Sequence, residues 1–217
     1  MSRVAVVLSG CGYLDGAEIH ESVVTLLALD RAGADVQCLA PDKPQRDVID
    51  HRTGQPAEGE SRNVLAESAR IARGEIQNVA DARAEDFDAV IVPGGFGAAK
   101  NLSSFAVEGP ECTVDPGVER LLQDAHAAGK PIGMICIAPA IAARLFPGVD
   151  LTIGSDPDTA GALEQMGAHH KACPVEAFVC DERARVVSCP ADMLGPSIKG
   201  VAAGIEKLVG EVLRLAS

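Results

Sequence analysis

Five short apolar runs constrain this chain more than any other feature. They cover residues 3–8, 36–40, 87–93, 131–136 and 149–153, are rich in Val, Ile and Leu, and stop at Gly, Pro or Ser except for 131–136, which runs through Cys136 into a helix. Runs this short and this predominantly apolar read as largely buried strands. Stretches with helical spacing of apolar residues separate them. Strands alternating with helices close as a mostly parallel central sheet with helices on both faces, an α/β three-layer sandwich of flavodoxin-like type. Aromatics make up only 3% of the chain against 47% hydrophobic residues, so the core must be built from Ala, Val, Leu and Ile. A single domain spanning 1–217 is the simplest arrangement for this length.

Between the strands, Val23, Val24, Leu26, Leu27 and Leu29 give a first helix that ends at Gly33. Residues 41–59 are polar and punctuated by Gly and Pro, which predicts a surface excursion outside the layers and without chemistry. A helix over 60–72 and a short extended piece at 75–79 follow. The segment 102–114 reads as loop. Asp115-Pro116 supplies an N-cap with proline at the first helical position, and that helix reaches Gly129. Helices are expected at 138–145 and 158–166. Residues 175–180 and 185–189 flank a polar turn and predict a C-terminal antiparallel β-hairpin. The broad apolar stripe Ile198, Val201, Ile205, Leu208 and Val212 predicts a last helix over roughly 194–215.

Charge narrows the partners. A formal net charge of −12 repels phosphate backbones and anionic lipid surfaces, so neither nucleic acid nor a membrane is expected. The apolar start at 3–8 is too short for a signal peptide, and no 18-residue apolar span occurs. Seven cysteines are scattered without a Cys-x-x-Cys pair or a paired-histidine metal spacing. They read as free thiols in a reducing compartment, and the expectation is a soluble, cytoplasmic protein that holds no metal.

In parallel sheets, ligands bind at the carboxyl ends of the strands. Three loops meet there in this chain: the one after 3–8, with Glu18 and Glu21; the one after 87–93, with Gly94 and Gly95; and the one after 131–136, with Cys136. A cysteine at a sharp strand-to-helix joint is presented above the sheet edge, and a nearby helix start favours its thiolate. The plain alternative is a small buried hydrophobe. The glycine pair exposes backbone N–H groups suited to an anion, or serves tight turning alone.

Several segments in order resemble one family: Ser9-Gly-Cys-Gly12, Glu18-Ile-His-Glu21, Pro93-Gly-Gly-Phe-Gly-Ala-Ala-Lys-Asn-Leu102, Glu111-Cys-Thr-Val-Asp115 and Cys136-Ile-Ala-Pro139. The chain resembles the PfpI-like superfamily, related to class I glutamine amidotransferases, and within it the ElbB glyoxalase branch, once described as enhancing lycopene biosynthesis. The resemblance implies Cys136 as nucleophile and Glu21 as its acid/base partner, with Glu18 as second claimant. It implies an oxyanion hole at Gly94, Gly95 and Ile137, with Gly95 and Ile137 donating and Gly94 permitting the turn. It also implies a homodimer and a cofactor-independent glyoxalase acting on a small dicarbonyl, glyoxal or methylglyoxal. A redox or stress sensor using Cys136, and an accessory protein of isoprenoid biosynthesis, are the alternatives. One departure matters: relatives place a histidine after the cysteine or on the next strand, where this chain has Ile137 and Thr152-Ile-Gly-Ser-Asp-Pro157. A Cys-His-Glu hydrolase triad is therefore not expected. His20, His169 and His170 read as solvated or structural, and Cys11 as either a pocket or an inert loop thiol.

Overall fold

The computed structural model describes residues 1–195 and 197–217. Its strands are β1 (Arg3–Val7), β2 (Asp35–Ala40), β3 (Ile49–Asp50), β4 (Gln55–Pro56), β5 (Ile76–Asn78), β6 (Ala89–Val92), β7 (Ile132–Ile135), β8 (Asp150–Leu151), β9 (His169–His170), β10 (Val179–Asp181) and β11 (Val186–Cys189). Its α-helices are α1 (Ile19–Arg31), α2 (Val64–Ile71), α3 (Phe96–Lys100), α4 (Phe105–Glu108), α5 (Pro116–Ala127), α6 (Pro139–Leu145), α7 (Pro157–Gln165) and α8 (Ile198–Ala216).

Seven strands form the central sheet in the order β10-β11-β7-β6-β1-β2-β5. Every pair is parallel except β10 on β11, the hairpin expected near the C-terminus. Every residue of β6, β7 and β11 is buried, because helices cover both faces. On one face Val4, Val6 and Ile91 pack with Leu29 of α1 and with Val201, Ile205, Leu208 and Val212 of α8. On the other, Ala5, Val7, Val90, Val92 and Met134 pack with Leu121 and Leu122 of α5 and Ile141 of α6. From β1 the chain winds outward through β2 and β5, then returns to the opposite side of β1 as β6. That reversal opens a crevice above the carboxyl ends of β1 and β6.

Five expectations need correction or refinement. Residues 149–153 do not join the central sheet. The place beside β7 belongs to β11, in register Val186↔Ile132, while β8 pairs only with β9. The backbone N–H groups of Asp150 and Thr152 donate instead to the side chains of Asp181 and Ser188, at 3.0 and 2.9 Å. Val149, Leu151 and Ile153 still enter the core, so the apolar alternation reported burial and not sheet membership. The extended piece at 75–79 does join the sheet, as edge strand β5. The presumed loop 102–114 holds α4 and a 3-10 turn at Gly109–Glu111, both too short to show a helical period. The excursion 41–59 stays outside the layers but forms the small β3–β4 ribbon, tied down where Ile49 N–H donates to buried Asp15 at 2.7 Å. The last helix begins at Ile198, later than expected, after a 3-10 turn at Ala191–Met193; position 196 of the expected span lies outside the described residues.

Candidate active site

The strand-to-helix joint is strained at its cysteine. Cys136 N–H donates to the Cys189 carbonyl at 3.0 Å, one more rung beyond the β7–β11 ladder. The chain then turns through φ +63° at Cys136, a left-handed conformation that costs a non-glycine residue about 1–2 kcal/mol. α6 follows with Pro139 at its start. The turn leaves Cys136 facing the crevice with 6% of its surface exposed.

The glycine pair is demanded by what lies against it. A Cβ on Gly94 would stand 2.3 Å from Cys136 Cβ and 2.6 Å from Glu21 Oε2. Gly95, at φ +92°, would meet Glu18 N at 2.4 Å. The turn docks backbone to backbone on the first loop: Glu18 N–H donates to the Gly94 carbonyl, Phe96 N–H to that of Tyr13 and Gly97 N–H to that of Gly16, at 2.7–2.9 Å. Asn101 fastens the two loops by donating to the Ser9 and Asp15 carbonyls.

This docking brings Glu21 to Cys136. Glu21 sits in the first turn of α1, fully buried, and its carboxyl accepts from Gly94 N–H at 2.9 Å and from Asp192 N–H at 3.1 Å. Its Oε2 and the Cys136 sulfur flank the same point beside Gly94, 2.6 and 2.9 Å from where a Cβ would stand, so the two side chains are neighbours. Glu18 does not reach the sulfur: it caps α1, accepting from Glu21 N–H at 2.7 Å. Gly95 and Ile137 direct their N–H groups at the Cys136 sulfur. Gly94 does not belong with them as a donor, because its N–H is already spent on Glu21.

Electrostatics corrects the expectation of a resting thiolate. Burial, and then the neighbouring Glu21 charge, push the Cys136 thiol well above its ordinary value, against a weaker opposing pull from the Gly95 and Ile137 N–H groups. The N-cap of α6 is Ala138, so the sulfur precedes the first helical turn. Burial raises Glu21 to about 8, against its two backbone donors. The resting pair therefore keeps both protons at neutral pH. Losing one leaves a single charge that the two groups share.

Cys136 forms the floor of a cavity of about 310 Å³ with mostly apolar walls, lined by Tyr13, Glu18, Gly95, Phe96, Ile137, Thr159, Asp192 and Met193. A fourth loop thus joins the three expected, contributing Asp192 and Met193 after β11. It is shaped by a second strained residue, Ala191 at φ +43°. Sequence patterns missed it because no glycine marks the turn. Thr159, near the start of α7, gave no signal either. His20 stands at the rim, 3.6 Å from Glu18; His169 pairs with Asp150 and His170 with the Gly154 carbonyl, both away from the cavity. Cys11 lies outside it, beside Glu67 and Arg70. Among the described residues, no three His, Cys, Asp or Glu side chains gather as a metal-ligand set. A larger, more open depression of about 520 Å³, between Ala80–Glu85 and Arg120, is lined by no Cys, Ser or Thr among the described residues.

A family model described as the DJ-1/PfpI family matches residues 5–181. The mitochondrial glutamine amidotransferase-like class 1 domain-containing protein 3 of Homo sapiens is 51% identical over 223 residues, covering 99% of this chain and 83% of its own. The mitochondrial ES1 protein homolog of Rattus norvegicus is 50% identical, covering 99% and 84%. The crystal structure of an isoprenoid biosynthesis protein with amidotransferase-like domain from Ehrlichia chaffeensis has a TM-score of 0.93 at 37% identity, with 100% of both chains covered. The expected cytoplasmic location is overturned, since these curated relatives are mitochondrial by name. Free thiols are compatible with any reducing compartment and do not distinguish one from another.

Proposed function

The chain belongs to the DJ-1/PfpI family, and from that premise we propose that it is a cofactor-independent glyoxalase of the ElbB branch, acting on glyoxal or methylglyoxal. The observation that carries this reading is the buried Glu21 carboxyl beside Cys136, under a cavity that Gly95 and Ile137 also line. The reaction needs one thiol and one carboxyl that exchange protons, and no histidine.

The active form has lost one proton, as a Cys136 thiolate beside protonated Glu21. The sulfur adds to the aldehyde carbon, and the Gly95 and Ile137 N–H groups stabilise the alkoxide. Glu21 gives its proton to that oxygen, completing the hemithioacetal, and is left as a carboxylate. It then removes the hydrogen from the sulfur-bearing carbon, the hydroxyl proton on that carbon passes to the neighbouring carbonyl oxygen, and Glu21 returns its proton to the neighbouring carbon, which converts the adduct to a thioester. Water, deprotonated by Glu21, attacks the thioester and expels the Cys136 thiolate. The net change is dicarbonyl plus water to 2-hydroxy acid, with both side chains restored.

Glyoxal conversion without glutathione tests this in wild type, Cys136→Ala and Glu21→Gln. Both variants should lose at least about a hundredfold in kcat/KM, the usual scale for a lost nucleophile or general acid/base. Activity untouched by Cys136→Ala would end the proposal. The sensor reading draws on the same N–H groups, which suit the oxygens of an oxidised sulfur; no turnover together with ready peroxide oxidation of Cys136 would favour it. An accessory role in isoprenoid biosynthesis rests on the Ehrlichia protein's name alone. A homodimer is part of the proposal; nucleic acid and membrane are not.

A further inference from the structure

The cavity above Cys136 carries a charge that the proposed reaction does not use. Two carboxylates line it, Glu18 from the start of α1 and Asp192 from the turn after β11, and no Lys or Arg does among the described residues. Neither is consumed by a salt bridge to Lys or Arg. Glu18 accepts from Glu21 N–H, and its base partner is His20 at the rim. Asp192 feels the same imidazole. Lys100 lies 5.6 Å from the Phe96 ring but is bonded to the Leu14 carbonyl and the Asp47 carboxylate. The remaining walls, Tyr13, Phe96, Ile137 and Met193, supply no positive charge.

We infer that Glu18 and Asp192 make this cavity a charge filter, admitting uncharged carbonyl compounds to Cys136 and turning away carboxylates and phosphate esters. The inference rests on the reading of Cys136 as the reactive thiol and names the substrate class it serves. It also gives the product a direction. A dicarbonyl enters uncharged, whereas the 2-hydroxy acid ionises once formed and is repelled by the same two groups. Upstream reactions supplying this site must then release uncharged aldehydes or ketones, not phosphorylated or carboxylated ones.

The filter is tested without turnover, by alkylation of the wild-type protein with iodoacetamide and with iodoacetate. In both reactions the thiolate forms a C–S bond and iodide departs, so the reagents differ chiefly in charge. Peptide mass spectrometry reads Cys136 separately from the other six cysteines, and free cysteine in the same buffer gives the intrinsic ratio. Two carboxylates within a few ångströms of the path should disfavour iodoacetate at Cys136 by at least about tenfold beyond that ratio. Molar salt should shrink the preference. Asp192→Asn and Glu18→Gln, checked for an unchanged melting temperature, should each reduce it. A ratio within about twofold of free cysteine, or a preference that neither salt nor Asp192→Asn changes, would overturn the filter. Because alkylation needs no catalysis, a working filter without glyoxal turnover would refute the glyoxalase and spare the filter; turnover without charge preference would do the reverse.

Discussion

A methyl group on Gly94 has no room: it would fall within 2.3–2.9 Å of Cys136 Cβ, Glu21 Oε2 and Cys136 Sγ at once. Gly94→Ala should cost about 1–3 kcal/mol, the scale of overpacking in a closed interior, read from the urea midpoint. It should also abolish glyoxal conversion, because the shift separates the two reacting groups. Glu21 makes a second prediction, through pH. Burial raises it from 4.5 to about 8, so the folded protein keeps a proton that the unfolded chain has released. Its contribution to stability is full below about pH 4.5 and is lost as pH rises through about 8. Asp192, also raised by burial, acts in the same sense. Unfolding free energies from urea titrations should therefore be higher at pH 5 than at pH 8 by up to about a few kcal/mol in wild type, and by less in Glu21→Gln. Catalysis should run the other way, kcat/KM climbing toward about pH 8 as the pair loses its first proton; a flat profile would contradict the proton exchange. At this scale the sequence carried Cys136, Glu21 and the glycine pair through their motifs. It did not carry Asp192, whose N–H reaches Glu21 only because Ala191 adopts a positive φ that no residue type signals.

Elements were legible where their period was long. α8 declares itself by an apolar stripe over five turns, and two of its three glycines, Gly204 and Gly210, differ sharply in environment. A Cβ on Gly204 would stand 2.2 Å from the Val175 carbonyl oxygen, whereas one on Gly210 meets nothing within 4 Å. Alanine gains about 1 kcal/mol of helix propensity over glycine in either place. Gly210→Ala should therefore stabilise by about that amount, and Gly204→Ala should destabilise by about 1–3 kcal/mol as backbone must move. Thermal melts of the two variants check the contrast; matching shifts would mean that α8 does not sit this close to residue 175. Short elements were not legible for the same reason that α8 was. β8, α4 and the β3–β4 ribbon span two to four residues each, too few to establish a period. In 149–153, alternation correctly marked Val149, Leu151 and Ile153 as buried. It carried no information about which groups would satisfy the backbone between them, and those proved to be Asp181 and Ser188.

For the whole molecule, the order of strands and helices was enough to foresee a parallel sheet and the edge at which a site forms, because connection rules leave few alternatives. Partners are set by surfaces, on which strand order says nothing. One surface stands out on α1. Ile19, Val23 and Leu27 repeat every four residues and are 42%, 49% and 43% exposed, while the opposite side of the helix, through Thr25, Ala28 and Leu29, is buried. With a net charge of −12 the molecule repels copies of itself, so association requires a local apolar patch strong enough to oppose that repulsion. The proposed homodimer would bury this stripe against its own counterpart, since a two-fold axis matches a patch with itself. Such a dimer would also hold the start of α1, and with it Glu18 and Glu21, against a second copy. Light scattering of the wild type should give twice the 22.4 kDa chain mass, and Val23→Glu, which adds a charge at the centre of the stripe, should give the monomer. Glyoxal conversion in that variant should fall by a modest factor, about two- to tenfold, through loss of support for α1 and not loss of chemistry. A wild type that scatters as a monomer removes the dimer, and a dimer indifferent to Val23→Glu moves its interface elsewhere.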